Sequence, residues 1–319
     1  MAATPKIATA MIKAEVRDDI ATLTIRRPQL LNSINPVVLH QLHLAFDRAA
    51  NDAEVKGIVI AGEGKAFVVG ADIRFFLRNL DAGDIPRILQ FNQAGHRFLN
   101  AVNCCPKPVV ARVGGAALGG GVELALACHH IVASPRASFG FPETGLGIYP
   151  AWGGTQRTSR AVGVGLAKWL VLSGKTLSAA DAWKIGLIDQ VVPHEELDTA
   201  CRACARGRFP DEKCPTLPQP LAAIEKFFER SRADDLHNGT ALTGSDPVLI
   251  RAMRPVAAKA PIALRLAERL IEEGAQQTLE VGLQMEIDHV AEVFKTRDAY
   301  LGLTHVAQSR IGGPAFVGQ

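Results

Sequence analysis

The sequence predicts an α/β protein whose C-terminal part is helical. Up to about residue 195, short apolar runs typical of strands alternate with amphipathic helical stretches, at about twenty to thirty residues per cycle. This alternation implies crossover connections between neighbouring strands. Beyond residue 195 the helical period continues, and no convincing strand pattern follows it. We therefore place a boundary near residue 200.

The composition is that of an ordinary globular protein. Of the 319 residues, 48% are hydrophobic and 21% are charged, and the net charge is only +3 with the basic residues spread out. This charge gives no indication of nucleic-acid binding. No apolar run reaches the roughly 18 residues of a membrane span, and residues 1–11 are interpreted as a flexible leader rather than a targeting signal. A cytoplasmic location is expected.

Start and stop signals place the elements of the first half. Residues 12–25 alternate and then run β-branched, which predicts a hairpin that turns at Asp18 and Asp19. Asn35 and Pro36 predict the N-cap and the first position of a helix that ends near residue 50. This half is also predicted to contain strands at 55–61 and 108–113 and a helix at 84–103.

The second half is assigned in the same way. A helix over 118–127 is predicted to begin at consecutive glycines, and Ser178 is predicted to N-cap another short helix. The other predictions are strands at 130–133, 138–140 and 187–192, helices at 161–173, 221–232, 261–273 and 278–294, and loops at 207–220 and 233–247.

The cysteines allow two interpretations. Cys201 and Cys204 have metal or redox spacing, and Cys214 follows ten residues later. A structural zinc site would need a fourth ligand such as His194 or His237. The favoured interpretation is that these cysteines are reduced thiols, and no metal is expected.

Three consecutive glycines, Gly119 to Gly121, come directly before a helix-forming stretch. A turn without side chains at a helix N-terminus directs several N–H groups outward, which suits a phosphate or an oxyanion. No Lys-Ser/Thr pair follows, so this is not a P-loop, and the spacing of a dinucleotide fingerprint is absent. The alternative is that the glycines only allow close packing of a strand and a helix.

Two glutamates lie twenty residues apart, each beside glycines. Glu123 falls within an apolar helical stretch, and Glu143 follows Pro142 in a glycine-rich loop. Each could simply be solvated. If both share one small site, their charges would perturb each other so that one keeps its proton, as an acid–base pair requires. Together with Gly70 and Ala71, these residues could form and protonate an enolate.

These residues lie in motifs that resemble the crotonase (enoyl-CoA hydratase/isomerase) superfamily. The similar stretches are LNSINPVVLHQL, KAFVVGADI, AALGGGVELALACHHIVAS, ASFGFPETGLGIYPAWGGTQRTSRAVG and GLIDQVVP, and the tail from Ala260 through LEVGLQMEIDHVAEVF. The chain is most like the hydratase part of fatty-acid β-oxidation enzymes. The resemblance implies a crotonase-like spiral of β-β-α repeats over 1–200, and helices over 256–319 that pack subunits into homotrimers or homohexamers.

The resemblance also implies a set of catalytic residues. The backbone N–H groups of Ala71 and Gly120 match the family's oxyanion hole for the thioester carbonyl. Glu123 and Glu143 match the two glutamates of hydratases. Glu123 would act as base on the attacking water, and Glu143 would deliver a proton to C2.

The coenzyme A part of the substrate is expected along residues 65–74. Lys65 and Arg74 are the expected phosphate contacts, and Asp72 lies in the same segment. Ordinary surface charge is the alternative for both cations. Phe316 matches an aromatic residue that helps to enclose the adenine, often from a neighbouring subunit. No separate cofactor is expected, because coenzyme A belongs to the substrate.

The expected reaction is reversible hydration of a trans-2-enoyl-CoA to a 3-hydroxyacyl-CoA. An enoyl-CoA isomerase is one alternative, although such relatives usually need only the glutamate that matches Glu143. An acyl-CoA or cyclic oxo-acyl-CoA hydrolase is another, and an RNA-contacting scaffold a third. Two departures bear on the choice: residues 201–255 form an insertion of unknown role, and Ala151 and Trp152 make the loop near Glu143 bulkier than usual.

Overall fold

The computed structural model describes residues 10–210, 216–241, 244, 246–309 and 313–319. The N-terminal leader up to residue 9 and Cys214 lie outside this range. Strands in the described residues are β1 Ile12–Arg17, β2 Ile20–Ile25, β3 Gly57–Gly62, β4 Ala66–Val69, β5 Val109–Val113, β6 Ala116–Leu118, β7 His130–Ala133, β8 Ser138–Gly140, β9 Leu177–Ser178 and β10 Gln190–Val191.

The α-helices in the same residues follow in chain order. They are α1 Pro36–Asn51, α2 Ile73–Asp81, α3 Ile85–Asn103, α4 Gly120–Ala127, α5 Gly154–Val162, α6 Val164–Ser173, α7 Ala179–Lys184, α8 Leu197–Ala205, α9 Gln219–Arg230, α10 Ala233–Asn238, α11 Pro247–Met253, α12 Pro261–Ala275, α13 Leu279–Phe294 and α14 Arg297–Ala307.

The strands form two sheets that the chain visits in turn. One sheet has the order β1-β2-β3-β5-β7-β10, and the other has the order β4-β6-β8-β9. The pairs β3/β4, β5/β6 and β7/β8 each give one strand to each sheet, and neighbouring strands from successive pairs are parallel. The predicted spiral of β-β-α repeats is therefore confirmed, as is the antiparallel hairpin at its start.

The inner strands β3, β5 and β7 of the large sheet are covered on both faces, which explains why they are almost continuously apolar. On β5, Val109 and Ala111 belong to the main core under α1 and α3, while Val110 faces the other way. Cys201 and Cys204 on α8 cover that second face as buried free thiols. Burial raises the pKa of the Cys204 thiol to about 11, so both act here as small apolar side chains.

Several predicted boundaries were wrong for local reasons. The helix predicted from residue 118 begins at Gly120, because Leu118 still pairs with Gly140 in the small sheet. The single helix predicted over 161–173 is two helices, α5 and α6, which Gly163 separates with a φ of 84°. The strand predicted over 187–192 is only two residues long.

The loop predicted over 233–247 contains a helix, α10, whose first residues are held by the core. Glu268 on α12 accepts a hydrogen bond from the Ala233 N–H at 2.9 Å and pairs with the buried Lys168 at 3.0 Å. Lys168 also donates to the Ser231 carbonyl at 2.7 Å. A tertiary carboxylate thus stabilises a helix start that no local residue caps.

The C-terminal helices cover much of their own apolar surface within the chain. Leu270 and Ile271 on α12, and Val290 and Phe294 on α13, are buried in the main core. These four side chains are therefore not available for packing against another subunit, although Val281 on α13 is exposed. In the described residues, no helix is long and apolar enough to cross a membrane.

Candidate active site

The predicted site forms where three neighbouring strands of the small sheet end. Gly70 and Ala71 follow β4, Gly119 and Gly120 follow β6, and Glu143 lies just beyond β8. Because β4, β6 and β8 are adjacent and parallel, their carboxyl ends meet at one edge. A Cβ added to Gly120 would lie 3.7 Å from the Cα of Gly70, so the first two turns nearly touch.

Two backbone N–H groups remain free at this edge. Ile34 pairs with Ala71 in a parallel bridge: the Ile34 N–H donates to the Gly70 carbonyl at 3.0 Å, and the Asp72 N–H donates to the Ile34 carbonyl at 2.8 Å. The Ala71 N–H therefore points away from Ile34. Gly120 is the first residue of α4 and lacks an intrahelical acceptor. Neither N–H has an acceptor in the described residues.

Two of the three glycines are required by close approaches rather than by ligand binding. Gly119 has a φ of 53°, and a Cβ built on it would lie 2.2 Å from Oε1 of Glu143. A Cβ on Gly121 would lie 2.0 Å from the Val68 carbonyl oxygen. Gly119 and Gly121 therefore allow close packing, and the use of the free Gly120 N–H to bind an anion stays a prediction.

Glu123 is almost fully buried on the first turn of α4, at 3% exposure. Its Oε1 accepts hydrogen bonds from the N–H groups of Trp152 at 2.6 Å and Gly154 at 2.8 Å. Burial raises the pKa of its carboxyl to about 7, and these two bonds and the charge of Arg157 limit the rise. A substantial fraction of Glu123 is therefore ionised near neutral pH.

Glu143 is buried too, but its carboxyl is much less well stabilised as an anion. Its Oε2 is buried and has no hydrogen-bond partner among the described residues. Burial, and then the charge of Glu123, raise the pKa of Glu143 well above its usual value. Thr144 fixes the turn by donating its hydroxyl to the Val171 carbonyl at 3.0 Å. These surroundings therefore favour the protonated form of Glu143.

Both glutamates open onto one largely apolar cavity of about 230 Å³. Trp152, Phe76 and Phe294 form part of its wall, and the turns of Ala71 and Gly120 lie on it. The cavity can take a small apolar group beside the two free N–H groups and the two carboxyls.

The structure gives the predicted coenzyme A residues different environments. Lys65 and Arg74 are exposed, and neither side chain makes an ion pair within the described part of the chain. Asp72 caps α2 and pairs with Arg27 at 3.1 Å. Phe316 packs against the core of its own chain and does not line the cavity. Binding of coenzyme A by these four residues stays a prediction.

Sequence reasoning missed the groups that support Glu123 from behind. Arg157 is buried beside the loop, and its Nη1 donates to the Trp152 carbonyl at 3.2 Å. Glu286, from α13, accepts hydrogen bonds from Gly153 and Thr155 in the segment 152–155, which is the turn before α5 and the first two residues of that helix and is called the Glu123 loop below. Arg157 and Glu286 both lie in similar stretches named above, but nothing in their local sequence shows that helices so far apart meet.

The cysteine and histidine residues do not form a metal site in the described part of the chain. No group of three or more potential ligands comes together there. Of the ligands considered, Cys201 and Cys204 face the sheet, and the Nδ1 of His237 lies 3.4 Å from the Val256 carbonyl.

Comparison with known proteins agrees with the family that the sequence motifs indicated. The family described as enoyl-CoA hydratase/isomerase matches residues 15–215. The chain is 32% identical over 297 residues to the crotonyl-CoA hydratase of Syntrophomonas wolfei, covering 93% of this chain and 94% of the relative. It is 41% identical over 223 residues to a probable enoyl-CoA hydratase of Rhizobium meliloti, covering 70% and 84%.

A solved structure shares the fold. The enoyl-CoA hydratase from Rhodobacter sphaeroides superimposes with a TM-score of 0.85 over 97% of this chain and 93% of that chain, at 24% identity. At that identity the likeness shows the fold alone, whereas the family match covers well over half of the sequence. The chain belongs to the enoyl-CoA hydratase/isomerase family.

Proposed function

We propose that this protein catalyses the reversible hydration of a trans-2-enoyl-CoA to the 3-hydroxyacyl-CoA. The observation that carries the proposal is one cavity that joins two free N–H groups, of Ala71 and Gly120, to two buried carboxyls with different proton affinities. The names of the relatives, a crotonyl-CoA hydratase among them, support the same reaction.

The carboxyls divide the proton transfers. Glu123 accepts two backbone hydrogen bonds and lies near Arg157, so its anion is available as a base. Glu143 retains its proton and serves as the acid. In the forward direction, water adds to C3 as Glu123 takes one of its protons, and the electron pair of the double bond moves toward the thioester oxygen.

The resulting enolate is the species that the site must stabilise. Hydrogen bonds from Ala71 and Gly120 to the thioester oxygen contribute about 3 kcal/mol each, as oxyanion-hole donors do elsewhere. Glu143 then transfers its proton to C2, which completes the addition of one water molecule. Glu123 is now protonated and Glu143 ionised, and exchange of one proton between them restores the starting state.

The two rival reactions, double-bond isomerisation and thioester hydrolysis, agree less well with the site or can be told apart by their products. A double-bond isomerase needs one proton carrier, whereas here a second carboxyl, Glu123, is held by two hydrogen bonds on the cavity wall. Thioester hydrolysis uses the same oxyanion site, but it releases free coenzyme A, which makes it directly distinguishable.

The proposal has further parts. Coenzyme A enters as part of the substrate, with its phosphates near Lys65 and Arg74, and no separate cofactor takes part. The active form is a homotrimer or homohexamer, and the location is the cytoplasm, in keeping with the free thiols of Cys201 and Cys204.

The deciding measurement is the decay of the conjugated absorbance of crotonyl-CoA, with wild type beside Glu123→Ala. We expect decay with the wild type only, and release of no free thiol. Thiol release at the rate of absorbance loss would establish a hydrolase instead. Decay that survives in Glu123→Ala within tenfold would contradict the base role of Glu123.

A further inference from the structure

A third buried carboxylate lies behind the loop that holds Glu123. Glu286 on α13 is fully buried. Its Oε2 accepts the Gly153 N–H at 2.6 Å, and its Oε1 accepts the Thr155 N–H at 3.0 Å and the Thr155 hydroxyl at 2.5 Å. Burying a carboxylate is costly unless its oxygens are paired, and here both oxygens are used on one loop.

Two carboxylates divide this loop between them. The N–H groups of Trp152 and Gly154 donate to Glu123, while those of Gly153 and Thr155 donate to Glu286. The four consecutive N–H groups of residues 152–155 therefore donate alternately to Glu123, which lines the cavity, and to Glu286, which does not. The loop cannot move toward either carboxylate without lengthening its bonds to the other.

Neighbouring contacts tie the same segment to α13. The Tyr149 hydroxyl donates to the Glu286 carbonyl at 2.6 Å. The Nε2 of His96 lies 2.7 Å from the Ala151 carbonyl and 3.6 Å from Oε2 of Glu286. Helix α13 is thus in contact with the loop on both sides of the residues that bind Glu123.

Electrostatics makes the two carboxyls ionise one after the other. Burial, and then the charge of Glu123, raise the pKa of Glu286 to about 8, above the pKa of about 7 for Glu123. Because Glu123 ionises first, Glu286 is mostly neutral while Glu123 titrates, so Glu286 acts on Glu123 through the segment 152–155 that they share and not through its own charge. The titratable and charged groups that face Glu286 are Glu123 on α4, Arg157 and Arg160 on α5, His96 on α3 and Tyr149.

We propose that Glu286 is a positioning residue for the reaction. It holds the segment 152–155, which is the turn before α5 and the first two residues of that helix, and this segment in turn orients the carboxylate of Glu123. This role rests on the proposed function of Glu123. It makes α13, from the helical C-terminal region, a structural part of the active site.

The test is Glu286→Gln, which keeps the shape but replaces one of the two accepting oxygens with an amide nitrogen that cannot accept a hydrogen bond. We expect kcat for crotonyl-CoA to fall by about 10- to 100-fold, with KM changed less than about threefold. The hydrogen bonds from Trp152 and Gly154 lower the pKa of Glu123. Loosening these bonds raises that pKa, so the acid limb of the kcat–pH profile moves to higher pH, by at least about half a unit. A role in stability alone would leave that limb in place.

Glu268→Gln is the matched control. Glu268 is also a buried helical carboxylate that accepts a backbone hydrogen bond, but it lies outside the cavity lining. We expect this variant to lower the melting temperature and to leave kcat and the pH profile as in wild type. The same shift of the acid limb in both variants would overturn the proposal.

A second readout does not depend on turnover. In protein labelled with ¹³C at glutamate carboxyls, with the Glu123 signal identified by its loss in Glu123→Gln, the Glu123 titration should have a higher midpoint in Glu286→Gln. If wild type fails to hydrate crotonyl-CoA, the proposed function fails while this titration still reports how Glu286 affects Glu123. An unmoved midpoint overturns the positioning role.

Thr155→Val covers the case in which Glu286→Gln does not fold. It removes the 2.5 Å hydroxyl bond to Glu286 and the 2.8 Å bond that the same hydroxyl accepts from the Gln156 side chain, while the Thr155 N–H still donates to Glu286. A several-fold lower kcat at unchanged KM supports the positioning role, and wild-type kcat overturns it.

Discussion

The hydrogen-bond partners of each carboxyl distinguish Glu123 from Glu143. Glu123 accepts two backbone N–H groups, whereas the buried Oε2 of Glu143 has no partner within the described residues. Both are buried, so burial raises both pKa values, and only the local donors and charges separate them. Two glutamates that lie a few residues beyond the ends of the neighbouring strands β6 and β8 can thus serve as an acid and a base.

This difference predicts the behaviour of Glu143→Gln. The amide is nearly isosteric but cannot donate a carboxyl proton to C2, so turnover should fall by at least about 10³ while binding of the CoA ester stays largely intact. Crotonyl-CoA kinetics and calorimetry with a non-reactive CoA thioester would separate the two quantities. Activity within tenfold of wild type would contradict the acid role.

Trp152 predicts a preference for short acyl groups. Its ring lies on the cavity wall, where a Cβ on Gly95 would come within 2.3 Å of it and a Cβ on Gly120 within 3.3 Å. It also packs against Phe91, with ring centroids 5.1 Å apart. The indole therefore fills space that a longer chain would need.

We expect Trp152→Leu to raise kcat/KM for an eight-carbon enoyl-CoA relative to crotonyl-CoA by about tenfold, because a methylene group in an apolar pocket is worth about 1–3 kcal/mol. Trp169→Leu is the control, since Trp169 is equally buried but does not line the cavity. An unchanged ratio in Trp152→Leu, or the same change in both variants, would refute this role.

At the scale of elements, α9 and α10 belong to the packed core although they lie in the segment predicted to be an insertion. Phe228 on α9 and Leu236 on α10 are buried in the main core cluster. A Cβ on Gly165 of α6 would lie 2.1 Å from the Glu225 carbonyl oxygen, so α6 and α9 approach closely. The role of 201–255 stays open, but α9 and α10 cover apolar surface.

Phe228→Ala should therefore lower the free energy of unfolding by about 3 to 5 kcal/mol, as large-to-small core substitutions do. Glu229→Ala, at the exposed neighbouring position, should stay within about 0.5 kcal/mol of wild type. Guanidinium unfolding measures both.

Deletion of 207–247 should cause aggregation, because α9 and α10 cover apolar surface of the core. A soluble, fully active deletion variant would show that these helices are dispensable.

For the molecule as a whole, the buried carboxyls make stability depend on pH. The pKa values of Glu123, Glu143 and Glu286 are all raised in the folded state, to about 7 for Glu123 and about 8 for Glu286. In the unfolded chain they ionise near pH 4.3. Between pH 4.3 and these raised pKa values, the folded state therefore binds more protons than the unfolded state. The free energy of unfolding consequently falls as the pH rises through this range. His96, whose pKa burial lowers to about 4, acts in the opposite direction only below about pH 6.5.

We expect the free energy of unfolding to fall by at least about 1 kcal/mol between pH 6.5 and pH 8. Chemical denaturation at both values measures this change. Glu143→Gln removes one of the three carboxyls and should reduce the fall. Equal stability of the wild type at the two values would show that these carboxyls are not held against ionisation.

The sequence by itself determined the alternation of strands and helices up to residue 195, the hairpin at Asp18 and Asp19, and the cap at Asn35, but the elements assigned from it did not include β4, α2 and β6. It also indicated the family and the candidates Glu123, Glu143, Ala71 and Gly120, because turn glycines, caps and motifs are local signals. These features depend on residues within a few positions of one another, which a linear pattern records.

The tertiary structure alone decided the rest. The parallel order of β4, β6 and β8 brings three turns to one edge, and burial there, which no local pattern encodes, sets the proton affinities of the carboxyls. The support of the Glu123 loop comes from Glu286, more than 130 residues away along the chain. Pairings over such distances follow from how helices pack, and for that reason sequence reasoning missed α10 and Glu286.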